Sequence, residues 1–506
     1  MSMRTTFSGL SIALRALQTQ QISLDITGHN VANVNNPNYS RQTALHSATK
    51  PYPAPMMGYT PSSGQLGTGV EISQINRMRD GFVDLRLRQQ LHSKNYWATM
   101  EEGLRQVELF FNEPSENGIH YALDQFWDSW QDLSREPDFA SVREVVVQRA
   151  QVLAESIRGT RENLQRLREN INGNIPLKIS EVNSLAKRIA DLNVQIGKIS
   201  ATGSIPNDLL DARDAMIEEL SHLVDIEVVQ DHANMVGVTI GGASLVHRGT
   251  SYGLITSGVT VPGENYKLNE VRWATTGNPV NITSGEIAGL QRLRDQEIQD
   301  AINDLDEWTK DFATQVNRIH EEGYDLNGVG GTEKPIQFFV FELPDGTSNP
   351  NMDYAALNIN VNPYITGDVD ITDPDTPVGV RLIRASSLEG VEGNGSNAIA
   401  LAELRTARVI DGVSGGGTKI SIGDAFNSII SRLGVDTQQA IRMNENDTNL
   451  ELHLRNLKDS ISGVSLDEEM ANMIRFQHAY SAAARVMTTM DEALDTIINR
   501  LGIVGR

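Results

Sequence analysis

The side chains able to do chemistry are scattered along this chain. Ten histidines include no His-Glu-x-x-His pair, the spacing that sets two imidazoles on one helix face for zinc. His29 stands at the end of a helical stretch and reads as a cap or surface residue. Asp368, Asp370, Asp373 and Asp375 could chelate calcium, but no glycine follows at the sixth position and no glutamate at the twelfth, so a solvated acidic loop is expected. Ser414-Gly415-Gly416-Gly417-Thr418-Lys419 resembles a phosphate loop only in its glycines; its lysine and hydroxyl residues come in the wrong order, and it reads as a linker. Phe126, Trp127 and Trp130 could stack on a ring, but they sit in a helical block and are expected in a core. The absence of cysteine removes disulfides, thiolate metal sites and cysteine nucleophiles. No cofactor or metal is expected. An enzyme would need a pocket in residues 224–282 or 335–384, where no nucleophile stands beside a base.

The elements therefore carry the argument. A chain of 506 residues is long enough for three or four domains. Its 43 basic and 65 acidic residues leave a net charge of −22, which repels phosphate and argues against nucleic acid or an anionic membrane as partner. No apolar run is long enough to span a bilayer. The start, Met1 to Phe7, lacks the apolar stretch of a secretory signal, so any export is expected to use another route.

Residues 7–31 carry Phe7, Leu10, Leu14, Leu17, Gln21, Leu24, Gly28 and Val31 at helical steps of three and four. Residues 46–81 show scattered Pro and Gly with short β-like pieces and read as an extended arm. A helical domain is expected from 82–223 with 284–330 and 385–461. Within it, stripes at 153–171 and 182–199, separated by Gly173 and Pro176, predict an antiparallel pair of helices. Thr283 and Ser284 are suited to cap the helix that follows. Residues 224–283 lose the helical period and gain β-branched residues, which predicts an inserted β domain. Residues 335–384 form a second, outer β and loop insert. The final stripe is the longest: Leu466, Met470, Met473, Gln477, Tyr480, Ala484, Met487, Asp491, Leu494, Ile498 and Leu501. The fold class is α+β multidomain, with a long helical bundle or coiled-coil core from both termini and the middle, and small β domains inserted.

An isolated helix cannot stand on its own stripe; it must share that stripe with a partner. The partner is the other terminus, a neighbouring copy, or both. We expect the assembly surface at Leu10, Leu14, Leu17, Gln21 and Leu24 of the first helix and at Met470, Met473, Gln477, Tyr480, Met487, Asp491, Leu494, Ile498 and Leu501 of the last. The polar Gln21, Gln477 and Asp491 would fix register. A heptad helix is most often an ordinary bundle element, and periodicity alone does not distinguish a monomeric bundle from a polymer.

The residues after the first helix, Ala32-Asn33-Val34-Asn35-Asn36-Pro37-Asn38-Tyr39-Ser40-Arg41, resemble the signature turn of the flagellar rod, hook and hook-associated axial proteins, Ala-Asn-x-Asn-Thr-Pro-Gly-Tyr-x-Arg. Asn36 replaces a threonine and Asn38 a glycine; asparagine tolerates a left-handed backbone, so the turn is expected to survive. Asn33, Asn35, Pro37, Asn38, Tyr39 and Arg41 are its candidate functional residues. Segments Gly463–Met473 and Gln477–Val486 look like the same family's carboxyl end. Pro206–Asp214 and Gln315–Gly328 resemble its hook–filament junction branch. The resemblance covers nearly the whole chain except 335–384.

That resemblance implies a structural part without catalysis: a ring of identical subunits between hook and filament. Hook protein would lie below and the second junction protein (hook-associated protein 3) above. It implies type III export, a cytoplasmic chaperone on the carboxyl-terminal helix, and a final extracellular place at the hook–filament junction. A hook or distal-rod protein would share the ends, and the helical pair expected at 150–200 speaks against it.

Overall fold

The computed structural model describes residues 7–51, 67–260, 266–331, 335–341, 349, 352–367, 378–411, 419–496 and 498. The acidic run at 368–375, the glycine stretch 414–417 and Leu501 lie outside them. Helix α1 (Ser8–Ala32) leads into a hairpin of β1 (Gln42–Ala48) and β2 (Val70–Arg77), then α2 (Gly81–Phe111), α3 (Ile119–Arg135), α4 (Ala140–Ser200) and α5 (Asn207–Leu223). Six strands follow. β3 (Glu227–Gln230), β4 (Val236–Ile240), β5 (Ala243–His247) and β6 (Thr250–Ser251) make one antiparallel meander. β7 (Leu254–Thr260) and β8 (Lys267–Trp273) make a separate hairpin. Helices α6 (Glu286–Arg292) and α7 (Ile298–Glu322) are joined without a break by a π-helical segment, Leu293–Glu297.

The second insert is mixed: β9 (Phe339–Phe341) pairs with β10 (Ile359–Val361), flanked by the short helices α8 (Ala355–Asn358) and α9 (Pro363–Thr366). After α10 (Ser396–Glu403) and the two-residue strands β11 (Ile410–Asp411) and β12 (Lys419–Ile420) come the long helices α11 (Ile422–Ser462) and α12 (Leu466–Asp495). The chain is thus α+β, with long helices at both ends and in the middle and small antiparallel sheets between them.

One expectation fails here. The two stripes between 153 and 199 belong to a single 61-residue helix, α4, with Pro176 inside it. Proline ordinarily breaks a helix because it leaves the carbonyl four residues earlier without a donor. In α4 that carbonyl belongs to Asn172, and Asn269 Nδ2 of β8 donates to it at 3.0 Å. A side chain from the β hairpin replaces the missing N–H, so the helix runs on for about 90 Å. Thr283 also departs from expectation. Its N–H and hydroxyl donate to Asp225, and the cap position of α6 is Gly285 at φ 91°, where a Cβ would meet the Leu223 carbonyl oxygen at 2.6 Å.

Helix α4 organises the middle of the molecule, touching α3, α5, α7 and both β inserts. Its asparagines 172, 183 and 193 fall at steps of about three turns and so share a face. Each grips strand backbone with both amide atoms. Asn183 donates to Leu254 O (2.8 Å) and accepts from Leu254 N (2.7 Å), and Asn193 does the same with Val236. Amides satisfied in this way, those of Asn172 and Asn193 buried, hold the β domain in fixed register on the helix. On the opposite flank Phe126, Trp127 and Trp130 pack with Phe312, Phe338 and Phe339 in the expected core. Trp308 stacks on Phe312 and donates to Ile422 O at 3.0 Å. The antiparallel pair α2–α11 is pinned by Ser93 on Asp447 (2.6 Å) and Asn444 on Glu101 (2.7 Å).

Candidate functional site

The two chain ends lie together. Gly9 of α1 faces Met490 of α12, and Asn30 of α1 donates to Glu469 at 3.1 Å, so the helices run antiparallel in constant register. Of the expected assembly residues, Leu10, Leu17, Leu24, Met473, Met487 and Leu494 are half-buried. Leu14 (48%), Met470 (47%), Tyr480 (38%) and Ile498 (68%) are exposed, as are Gln21, Gln477 and Asp491. The polar three therefore do not sit in the seam between these two helices. The most buried face of α1 is one the heptad count passed over: Ala13, Thr19, Ser23, Thr27 and Asn30. It receives the β1–β2 hairpin through Ser23 Oγ to His46 (3.0 Å) and Thr19 Oγ1 to Val70 O (3.4 Å). Small hydroxylated side chains let the strands approach closely, and hydroxylic hydrogen bonds replace an apolar contact. In α12 the single buried residue between Leu466 and Asp495 is Glu469.

The signature turn sits where this pair meets the helical domain. Asn33 caps the end of α1, its amide donating to His29 O at 3.0 Å. Asn35 and Pro37 are exposed on the turn's outer side. Asn38 does not take up the left-handed backbone expected of it. Instead its N–H donates to Asn36 Oδ1 at 3.1 Å, a side-chain turn that makes glycine unnecessary. Tyr39 reaches back to α1, its hydroxyl donating to Asn30 Oδ1 at 2.7 Å with His29 Nδ1 3.1 Å away. Burial, with Asp208, Asp211 and Glu469 nearby, raises the Tyr39 phenol far above its ordinary range, so it stays a donor. Asn30 is completed by the Gln42 backbone, donating to its carbonyl (2.9 Å) and accepting from its N–H (3.0 Å).

Beyond Tyr39 the charges begin. Arg41 bridges to Glu469 (2.8 Å) and Glu468 (2.7 Å) at the start of α12. Ser40 donates to both carboxylate oxygens of Asp211 in α5, at 3.0 and 2.7 Å. Arg77 at the end of β2 bridges Asp211 (2.6 Å) and Asp214 (3.0 Å). Arg79 joins Asp84, Asp214 and Glu218, and Lys458 of α11 closes on Glu218. Burial would raise the Asp214 carboxyl, but Arg79, Arg213 and Arg77 outweigh it and hold the group below the usual carboxylate range. Burial opposes the charge on Arg79 and its carboxylates more than restore it. Asp208, Asp211, Asp214 and Glu218 follow one another at steps of three, three and four along α5. That acidic stripe on one face was the available signal for this joint, together with Arg77 and Arg79 two residues apart. Neither was read from the sequence as part of the site.

The arrangement is a joint of paired charges and hydrogen bonds between the chain ends and the helical domain. Among the described residues, no group of three or more histidine, aspartate or glutamate side chains is placed to hold a metal.

Comparison with known proteins gives a full-length relative. Flagellar hook-associated protein 1 of Bacillus subtilis (strain 168) is 32% identical over 530 aligned residues, covering the whole of both chains. This chain belongs to the flagellar hook-associated protein 1 family. The counterpart from Escherichia coli (strain K12) is 25% identical over 96% of this chain and 98% of that relative. Residues 104–338 match the flagellar hook-associated protein FlgK helical domain, 459–501 the flagellar basal body rod FlgEFG protein C-terminal family, and 10–39 the flagella basal body rod protein family. The solved flagellar hook junction protein FlgK from Burkholderia pseudomallei shares the fold at a TM-score of 0.56 and 17% identity, over 74% of this chain and all of that one.

These matches give the joint its meaning within the hook-associated protein 1 family. Asn30 and Tyr39 come from the amino-terminal rod-type segment, Glu468 and Glu469 from the carboxyl-terminal one, and Asp208, Asp211 and Asp214 from the helical domain. Three separately matched segments converge on one network of hydrogen bonds and ion pairs. The helical-domain match also decides against a hook or distal-rod protein, a decision the expected helix pair at 150–200 could not have supported.

Proposed function

We infer that this chain is a structural component of the bacterial flagellum, working at the hook–filament junction without catalysis of its own. The reading rests on the family and on one observation above others. Between Leu466 and Asp495, α12 buries a single residue, Glu469, while Met470, Ile474, Tyr480, Val486 and Met490 are exposed. A helix that leaves its apolar residues in water has its partner elsewhere. Identical subunits in a ring supply that partner. They cover Leu14, Met470, Tyr480 and Ile498 and enclose Gln21, Gln477 and Asp491, which then select register between copies.

The proposed division of labour follows the chain. Residues 1–45 with 462–506 form the assembling core, and 46–81 an extended arm. Residues 82–223 with 284–330 and 385–461 form the helical domain, and 224–283 and 335–384 are outward inserts. Hook protein lies below and the second junction protein above. Before assembly, a cytoplasmic chaperone covers the carboxyl-terminal helix, because an exposed apolar stripe invites aggregation. The chain leaves by the flagellar type III route. Among the described residues no helix is long and apolar enough to cross a membrane.

Leu494→Asp tests this reading. The half-buried leucine lies on the assembly stripe and outside the joint. Complementing a deletion strain with this variant is expected to give hooks without filaments and flagellin shed into the medium, while the purified protein melts as the parent does. Normal filaments on the variant would refute the assignment of this face.

A further inference from the structure

Two helix defects lie side by side in this molecule, and one β hairpin spans both. In α4, Gly173 and Pro176 stand within one turn. A Cβ on Gly173 would meet nothing within 4 Å, whereas one on Gly103 would strike Leu293 at 2.3 Å and one on Gly289 would strike Thr99 at 2.9 Å. Packing therefore explains the glycines at 103 and 289 but not the exposed one at 173, which weakens the helix just before its proline. Across from it, the continuous helix α6–α7 widens into the π-helical segment Leu293–Glu297, a geometry that disturbs the regular carbonyl pairing.

The side chains between them bond across the two segments in both directions. Asn269 of β8 donates to the Asn172 carbonyl that Pro176 leaves open. The Asn172 side chain accepts from Asn269 N (2.7 Å) and from Arg294 Nη1 (2.9 Å) and donates to Lys267 O (2.9 Å). In the other direction, Arg168 Nε donates to the Arg294 carbonyl inside the π segment at 3.0 Å. Arg294 also donates to Asn269 O (2.8 Å) and is neutralised by Asp295 in a fork at 2.7 and 2.9 Å. Arg168, Asn172 and Arg294 are each 5% exposed or less.

We propose that this is a latched hinge, in which β7–β8 acts as a splint that holds α4 and α6–α7 straight through Asn269. While Asn269 is docked, the Asn172 carbonyl has its donor and α4 is continuous. When Asn269 withdraws, that buried carbonyl loses its partner, and α4 bends at 172–176. Because Arg294 holds both Asn172 and Asn269, α6–α7 yields at 293–297 in the same event. The inference rests on the fold alone, so it stands or falls independently of the assembly reading.

Hydrogen exchange on the full chain tests it. In Asn269→Ala, peptides covering 172–180 and 293–300 are expected to exchange about five- to tenfold faster together, the loss set by one buried hydrogen bond. Peptides covering 126–133 should be unchanged. In a Pro176→Ala background the new N–H fills the Asn172 carbonyl, and the Asn269→Ala effect at 172–180 should shrink to within about twofold. Gly173→Ala, which needs no repacking, should slow exchange over 172–180. Acceleration confined to β7–β8, an equal Asn269→Ala effect in both backgrounds, or no response to Gly173→Ala would each overturn the latch.

Discussion

The helical domain and the terminal helix pair are built from the same heptad texture, yet one closes on itself and the other stays open. In α4 the stripe Leu153, Ile157, Leu164, Ile171 is fully or almost fully buried, and around α3 and α7 the aromatic side chains stack on one another. In α12 a stripe of equal regularity leaves Met470 and Tyr480 in solvent. Periodicity states that a face wants cover; it does not state whether the cover comes from the same chain. Between the two regions, contact is made by paired charges and hydrogen bonds around Tyr39, Arg41, Arg77 and Arg79. Charge pairs specify orientation through geometry, while apolar contacts tolerate sliding. The joint thus fixes how an open module is presented by a closed one.

The strongest way to separate the two regions is to cut an apolar group from each. Phe312→Ala removes a fully buried ring from the aromatic cluster and should cost about 3–5 kcal/mol, read as a large fall in Tm. Leu494→Asp should leave that transition within about 0.5 kcal/mol while abolishing junction formation. Equal destabilisation by both would erase the distinction. The joint comes next. Arg79→Ala strips the guanidinium from Asp84, Asp214 and Glu218 and should cost about 3 kcal/mol, with faster proteolysis between residues 77 and 84. An unchanged Tm and cleavage pattern would mean that the charges are ornamental.

A smaller effect distinguishes the regions by pH. His320, at the end of α7, is wholly enclosed. Its Nδ1–H donates to Ile336 O (2.9 Å) and its Nε2 accepts from Arg384 N (3.1 Å). Burial, reinforced by Arg384 and Arg143 against the opposing bond to Ile336, depresses its pKa from 6.5 to about 3. The unfolded chain therefore binds the extra proton first. The stability is intact above pH 6.5 and declines as pH falls from there toward 3, by at most about 1.4 kcal/mol per pH unit. His92 and His222, also depressed by burial, act in the same sense. Tm of the helical domain should fall between pH 6.5 and 5, and His320→Gln should remove the largest part of that slope. A flat profile in the parent protein would contradict the enclosed neutral imidazole.

Much of the fold was legible in the residues: the helical ends, the β insert after 224, and the aromatic core around Trp127 and Trp130. The misreadings turn on bonding partners that residue type alone does not announce, some distant in sequence and one only two residues away. Pro176 looks like a break until Asn269, 93 positions later, supplies the donor it lacks. Asn38 looks like a glycine substitute in a left-handed turn until Asn36 Oδ1 offers its N–H a bond. The joint stayed hidden because its arginines, 77 and 79, and its carboxylates on α5 carry ordinary surface residue types, and only their meeting in space gives them a role. The buried face of α1 was missed because threonine, serine and asparagine were counted as polar, whereas close strand packing uses them as small donors.

We propose that α1 and α12 form an unfinished module completed by neighbouring copies. Hydrogen exchange compared between the purified monomer and junctions isolated on hooks tests it most directly. Amides of α12 between Met470 and Asp491 are expected to exchange orders of magnitude faster than those of α4 in the monomer and to become comparably protected after assembly. Protection of α12 equal to that of α4 in the isolated chain, unchanged on assembly, would contradict it.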